Sequence, residues 1–260
     1  MRLPQEICDL IIDHLNDDKP SLRCCALVSR GWVYRSQAHL FYLLILGDKL
    51  LRRWFDTFSP SDERIHSFVK TLVLYPSSDF LGNFVHFQEY VPAFKSLEHL
   101  LINGRMMPYE CHQFPYIRWF GHLKHTLKVL QLESVTVNPH IVAGFPRLEF
   151  LLVRYSNLPS VHSVDGLDDD IPAKSDFYNA FKGTVGFDIH SWDSGVELLT
   201  AFADCPLGYD TMRIGVGAAD GKRPAKEAIN RLISRCSNTL EVLDIDFTDE
   251  RFRESGPAQP

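Results

Sequence analysis

Three stretches of this 260-residue sequence hold residue types and spacings that could do chemistry. The run Gly215-Val-Gly217-Ala-Ala-Asp220-Gly221 follows a strand-like segment and offers the close glycines that let a backbone approach a dinucleotide pyrophosphate. Asp220 occupies the place of the third glycine, and a carboxylate there repels pyrophosphate, so an ordinary glycine-rich turn is the better reading. His122 and His125, with Cys111 and His112 nearby in sequence, are zinc-type ligands, and histidines three apart can share a helix face. Scattered surface or interface histidines account for them more simply. The aspartates at 168, 169 and 170, with Asp165 before them, lack the alternate spacing and closing glutamate of a calcium loop. They fit a solvated acidic insertion between elements, residues 157–174. The sequence contains no GxxxxGK[ST] phosphate loop and no GxSxG nucleophile elbow. No nucleophile, base and orienting group stand together, so the expectation is a non-enzyme without metal or cofactor.

The elements that would position any site come next. A hydrophobic content of 45% is enough for a sizeable core, and a net charge of -6 gives no positive field to gather nucleic acid. The six cysteines form no CxxC pair and read as reduced, mostly buried thiols. Pro4, Glu6 and Asp9 interrupt any signal-peptide core, no Asn-x-Ser/Thr acceptor occurs, and the longest apolar run, Leu40–Leu46, is far short of a membrane span. An intracellular location, cytoplasmic and/or nuclear, with no membrane partner, is expected.

Residues 4–41 read as three short helices. Pro4 and Glu6 suit a first turn, and Ile7, Leu10, Ile11, His14 and Leu15 recur at helical spacing. Ser21 is the expected cap of a second helix carrying Leu22, Cys25, Ala26 and Val28, and Gly31 the expected break before a third. From residue 69 the pattern becomes a phrase of leucine, two variable residues, leucine, one variable residue and an apolar residue. It occurs at Leu97–Ile102, Leu127–Leu132, Leu148–Val153 and Leu240–Ile245, with weaker copies around Leu72, Val185–Ile189 and Met212–Ile214. Each copy suits a strand, and stretches 80–94, 109–125, 192–204 and 224–236 between them read as helices. The steps from 72 to 100, 100 to 130, 130 to 151 and 212 to 243 are 28, 30, 21 and 31 residues. Such periods belong to repeat arrays, and parallel strands need helical crossovers.

The phrase resembles that of leucine-rich repeats, which implies a parallel curved sheet with outer helices. Where that family carries an asparagine or cysteine tying one turn to the next, this chain has Arg105, Val135, Ser156 and Thr248, so an irregular array is expected. Alternation would turn Tyr75, His99, Leu101, Gln131, Phe150, Leu152, Arg154, Arg213 and Asp244 away from the core, toward a protein substrate on the concave face. The edge of the last strand, near Ile245, has no evident capping repeat.

The first segment resembles an F-box, through Leu3-Pro4-Gln5-Glu6-Ile7 with Ile11 and Leu15, and Cys25-Ala26-Leu27-Val28-Ser29-Arg30-Gly31-Trp32 closing with His39-Leu40-Phe41. That family docks on a Skp-type adaptor bound to a cullin. The resemblance implies adaptor contacts by Leu3, Pro4, Ile7, Ile11, Leu15, Cys25, Val28 and Trp32. The expected α/β architecture is a three-helix F-box at 1–45, an irregular leucine-rich-repeat-like solenoid at 46–250 and a disordered tail at 251–260. The expected function is a substrate receptor of a Skp/cullin/F-box ubiquitin ligase. A stand-alone interaction scaffold, unconnected to ubiquitin transfer, is the alternative.

Overall fold

The computed structural model describes residues 4–76, 87, 89–104, 120–137, 139, 142, 144–156, 182–189, 192–205, 208–216 and 222–246. The chain forms two compact units, residues 1–100 and 101–260. Every strand pairing described is parallel, and helices alternate with strands, so the class is α/β.

In the first unit the three expected helices are α1 (Gln5–Asp13), α2 (Lys19–Val28) and α3 (Arg30–Phe41). Glu6 lies in the first turn of α1, where a negative charge meets the positive end of the helix dipole. Cys8 and Ile12 of α1 and Leu22 and Cys25 of α2 are buried, and α3 packs against both other helices. Two local expectations need correction. The cap of α2 is Asp18, not Ser21: its carboxylate accepts from the Ser21 amide at 3.1 Å and from the Ser21 hydroxyl at 2.6 Å. Pro20, which has no N–H, fits the first turn, where that donor would have no intrahelical partner. The break between α2 and α3 falls at Ser29, which is extended, while Gly31 lies inside α3. Gly31 instead makes room for α1. Gln5 Nε2 donates to its carbonyl at 3.1 Å, and a Cβ there would stand 2.7 Å from Gln5 Oε1.

The apolar run at 40–46 begins in the last turn of α3, with Leu40 and Phe41, and turns at Tyr42 into β1 (Leu43–Gly47), which pairs with β2 (Thr71–Tyr75). Between them, α4 (Asp48–Thr57) and α5 (Glu63–Phe68) bury Leu51, Trp54, Ile65 and Phe68. The imidazole of His66 is fully buried among the rings of Trp54, Tyr90 and Phe94, at 5.7, 5.9 and 5.2 Å, and its Nε2–H donates to the Ser59 carbonyl at 2.9 Å. At the junction of the units stands β3 (His99–Asn103).

In the second unit β4 (Val129–Glu133), β5 (Phe150–Arg154), β6 (Lys182–Ile189), β7 (Gly208–Val216) and β8 (Val242–Asp246) lie side by side in chain order. Equivalent positions of the repeated phrase are in register: Leu130, Leu151, Val185, Met212 and Leu243 make one row, and Leu132, Val153, Phe187, Ile214 and Ile245 the next. The expected helices at 192–204 and 224–236 are α6 (Trp192–Asp204) and α7 (Lys222–Cys236), each crossing between neighbouring parallel strands. Within the expected helix at 80–94 the described residues Phe87, Glu89 and Tyr90 are helical and lead into a 3-10 turn at Val91–Ala93; of that at 109–125 the described part is a 3-10 turn at Phe120–Leu123. The insertion at 157–174 and the tail at 251–260 lie outside the described residues.

The turns after the strands repeat as well. Ser134 and Tyr155, each one residue past its strand, have left-handed φ values of 53° and 50°. Gly104 holds the same place after β3, where a Cβ would come within 2.3 Å of the Ser134 carbonyl. The buried Ser156 supplies the tie that the repeat phrase lacks. The Val135 amide donates to its hydroxyl oxygen at 3.4 Å, and that hydroxyl donates to the Arg154 carbonyl at 2.9 Å.

Candidate functional site

Two surfaces hold the residues singled out in the sequence. On the helical surface, Ile7, Leu10 and Ile11 sit at positions i, i+3 and i+4 of α1, one face of the helix, and are 43%, 55% and 41% exposed. On α2, Leu27 and Val28 are 87% and 65% exposed, and Tyr34 of α3 is also exposed. Pro4 is exposed, Leu15 and Trp32 are half-buried, and Cys25 is buried beneath α2; Leu3 lies outside the described residues. Full burial of an exposed aliphatic side chain is worth roughly 1.5–3 kcal/mol, and these partly exposed ones realise only a fraction of it, so the helices have unfilled capacity for an apolar partner.

A polar clamp, not apolar contact alone, joins α1 to α3. The Asp13 carboxylate accepts from Arg35 Nη2 at 2.6 Å and stands 2.7 Å from His39 Nε2. Hydrogen bonds from Arg35 and then His39 hold the Asp13 carboxyl well below the usual carboxylate range, and Asp13 in turn raises the Arg35 guanidinium. The Lys19 ammonium donates to the His39 carbonyl at 2.8 Å, which brings the start of α2 to the same place.

The second surface is the sheet face opposite the apolar rows. In the second unit it carries Val129, Phe150, Thr184, Thr211 and Val242 in one row, and Gln131, Leu152, Gly186, Arg213 and Asp244 in the next. Gln131, Phe150 and Leu152 are half-buried; Arg154, Arg213 and Asp244 are exposed. Leu152 leans across Gly186, where a Cβ would meet its Cδ1 at 2.8 Å, so the glycine lets an apolar side chain lie flat on the sheet. Leu101 is half-buried, and Asn103 Nδ2 donates to Glu133 Oε2 at 2.6 Å. In the first unit Tyr75 is exposed at the end of β2, and the half-buried His99 has its Nδ1 3.5 Å from the Thr71 hydroxyl. The register sets Arg213 beside Asp244 and Glu133 beside Arg154, giving mixed charge around apolar side chains.

The other chemical candidates are dispersed or lie elsewhere. His122 and His125 are exposed, while Cys111, His112 and the aspartates at 165 and 168–170 lie outside the described residues. Gly215 is in β7, and Gly217–Gly221 also lie outside them. Among the described residues no three ligating side chains gather as a metal site, and no helix is long and apolar enough to cross a membrane. Tyr209 is a buried polar residue that went unread in the sequence, and it lies with Cys205 and Cys236, which are buried as expected. Burial, with Asp204 adding to it, pushes the Cys205 thiol up to about 12, and burial also raises Cys236 and Tyr209. Thiols so shifted stay protonated at neutral pH and are poor nucleophiles. No protein-family model matches the chain, and no curated protein does.

Proposed function

We propose that the chain is a substrate receptor of a Skp/cullin/F-box ubiquitin ligase, with α1–α3 as the F-box and the remainder an irregular leucine-rich-repeat-like array. The observation that carries this reading is the exposed apolar stripe of Ile7, Leu10 and Ile11, with Leu27 and Val28, on helices whose inner side buries Cys8, Ile12, Leu22 and Cys25. Of the residues that the F-box resemblance assigns to a Skp-type adaptor, Pro4, Ile7, Ile11 and Val28 are among the exposed ones, so they are open for an adaptor to cover. Support for the array comes from the register of the repeated leucines and from steps of 21 to 31 residues between them. A protein substrate would lie on the face bearing Gln131, Phe150, Leu152, Arg154, Arg213 and Asp244. Phe150 and Leu152 there provide apolar anchors, with arginine and carboxylate beside them for specificity. No reacting group is needed on the chain itself. Holding a target beside a charged conjugating enzyme accelerates transfer by effective concentration and orientation.

The test is capture of a purified Skp-type adaptor by the full chain and by an Ile7→Asp/Ile11→Asp variant, with thermal melts of both. Both substituted positions face water, so the melting temperature should hold while capture is lost. A folded parent that captures no adaptor would leave the scaffold alternative in its place.

A further inference from the structure

β1 stands first in the strand order and pairs on one side only, with β2. The Thr71 amide donates to the Tyr42 carbonyl at 3.0 Å, so strand alternation turns Leu44 and Leu46 toward β2. The Leu43 carbonyl, both polar groups of Ile45 and the Gly47 amide therefore point to the outer side. Sheet edges are commonly guarded by a charge, a proline or a bulge, and β1 has none of these: it reads Leu-Leu-Ile-Leu-Gly and pairs with β2 in unbroken register. Apolar side chains stand exposed along it instead. Leu43 and Ile45 share a sheet face with Tyr75, which lies beside Gly47, while Tyr42 and Leu50 flank the two ends of the strand. All five are between 42% and 49% exposed.

We infer that the chain forms a two-fold dimer through β1, in which two copies pair antiparallel about Ile45 and the sheet runs on from one copy into the other. The strand is complementary to itself in this register. Ile45 meets Ile45 of the other copy, and the outward groups form a hydrogen-bonded pair there, as antiparallel pairing requires. The Gly47 amide of each copy reaches the Leu43 carbonyl of the other. Leu43 then lies opposite a glycine, in the place beside Tyr75 where a Cβ on Gly47 would come no closer than 3.9 Å to its neighbours. The antiparallel course also brings the Tyr42 end of one copy to the Leu50 end of the other, so every exposed apolar side chain at this edge gains a counterpart and no like charges within β1 face each other. The other end of the sheet lacks this property. A two-fold pairing of β8 about Asp244 sets that carboxylate against its own copy, and like charges directly opposite are destabilising. A large apolar side chain presents roughly 150–200 Å², so five at these exposures offer about 350–450 Å² per copy and roughly 700–900 Å² for the pair. With the strand backbones added, the contact reaches the ~1,000 Å² at which specific interfaces begin, and belongs with the weak, concentration-dependent ones.

Sedimentation equilibrium of the full chain over a range of concentrations tests this. The parent should follow a monomer–dimer equilibrium, and Ile45→Lys and Ile45→Glu should each raise its Kd at least about tenfold by setting like charges opposite each other. Because position 45 faces its own copy, an equimolar mixture of the two variants should dimerise again, which also shows that both remain folded. The Ile7→Asp/Ile11→Asp variant should dimerise as the parent does, so loss of adaptor capture and loss of the dimer are read separately. A parent that stays monomeric, or that grows past the dimer, would overturn the inference. So would lysine and glutamate variants that stay apart when mixed, or a dimer that survives Ile45→Lys and is lost in Ile7→Asp/Ile11→Asp, which would assign self-association to the helical stripe.

Discussion

Between β4 and β7, the inward side chains Leu130, Leu151, Val185 and Met212 reach zero exposure, whereas α1 leaves Ile7, Leu10 and Ile11 each more than 40% exposed. Both regions are short, regular elements with enough apolar residues to fill a core. Their difference lies in what holds neighbouring elements together. Parallel strands bring equivalent leucines into register, so each row finds its partners in the next strand and the crossover helices. The N-terminal helices bury only the inner side of α1 and α2 and fix α3 with the Asp13, Arg35 and His39 clamp. A fold that can bury leucine completely in one place, and leaves it in water elsewhere, has apolar surface available for association.

The sharpest way to break that comparison is to truncate one residue from each region. Leu151→Ala removes a fully buried side chain from the middle of a row and should cost about 2–5 kcal/mol, through lost burial and the cavity left behind. Ile11→Ala should change stability by roughly 0.5 kcal/mol or less, as surface substitutions do. Urea denaturation of both variants checks this. Equal losses would mean that Ile11 is covered in the folded chain, and the proposal that it meets an adaptor would fall with the comparison.

A smaller effect tests whether the strands are tied as regular turns. Ser156→Ala removes the hydroxyl that accepts from the Val135 amide and donates to the Arg154 carbonyl, in a place with 4% exposure. The orphaned amide should cost about 1–3 kcal/mol, read as a lower urea midpoint at unchanged slope. Ser156→Cys keeps a weak donor and acceptor of similar shape and should recover part of the loss.

How much of this was legible depends on range along the chain. The strands from β2 to β8 follow from the repeated phrase, because alternation over six residues is a local signal. β1 is hidden for the same reason: in seven consecutive apolar residues neither a helical nor a strand period can be seen. The inward and outward sets follow from β pleating, and the burial of β3, β4 and β5 alternates accordingly. Ser156 occupies the expected tying position, but its role depends on Val135, 21 residues away, which no local pattern reveals. The burial of Cys25 and the exposure of Leu27 and Val28, by contrast, depend on which side of α2 meets α1 and α3. Periodicity gives a stripe but not the partner that covers it.

The clamp between α1 and α3 is the least legible feature, with partners 22 and 26 residues from Asp13, and it gives the smallest expected effect. Because Arg35 and His39 donate to the Asp13 carboxylate, its folded-state pKa lies below the ordinary value of 3.8. A carboxyl depressed in this way adds stability above its unfolded pKa, and that stability is lost as the pH falls through the folded pKa. The pair with Arg35 is partly exposed, 44% and 32% for the two side chains, so solvent screening limits the contribution to about 1 kcal/mol. Thermal melts of the parent and Asp13→Asn should therefore differ by a few degrees at pH 5, and converge as the pH drops below about 4. Raising the salt concentration should narrow the gap at neutral pH but leave the Leu151→Ala deficit unchanged, since screening acts on charges and not on a buried cavity. A difference between parent and Asp13→Asn that persisted at low pH would show that asparagine disturbs the helix packing itself, and that apolar contact, not the clamp, fixes α3.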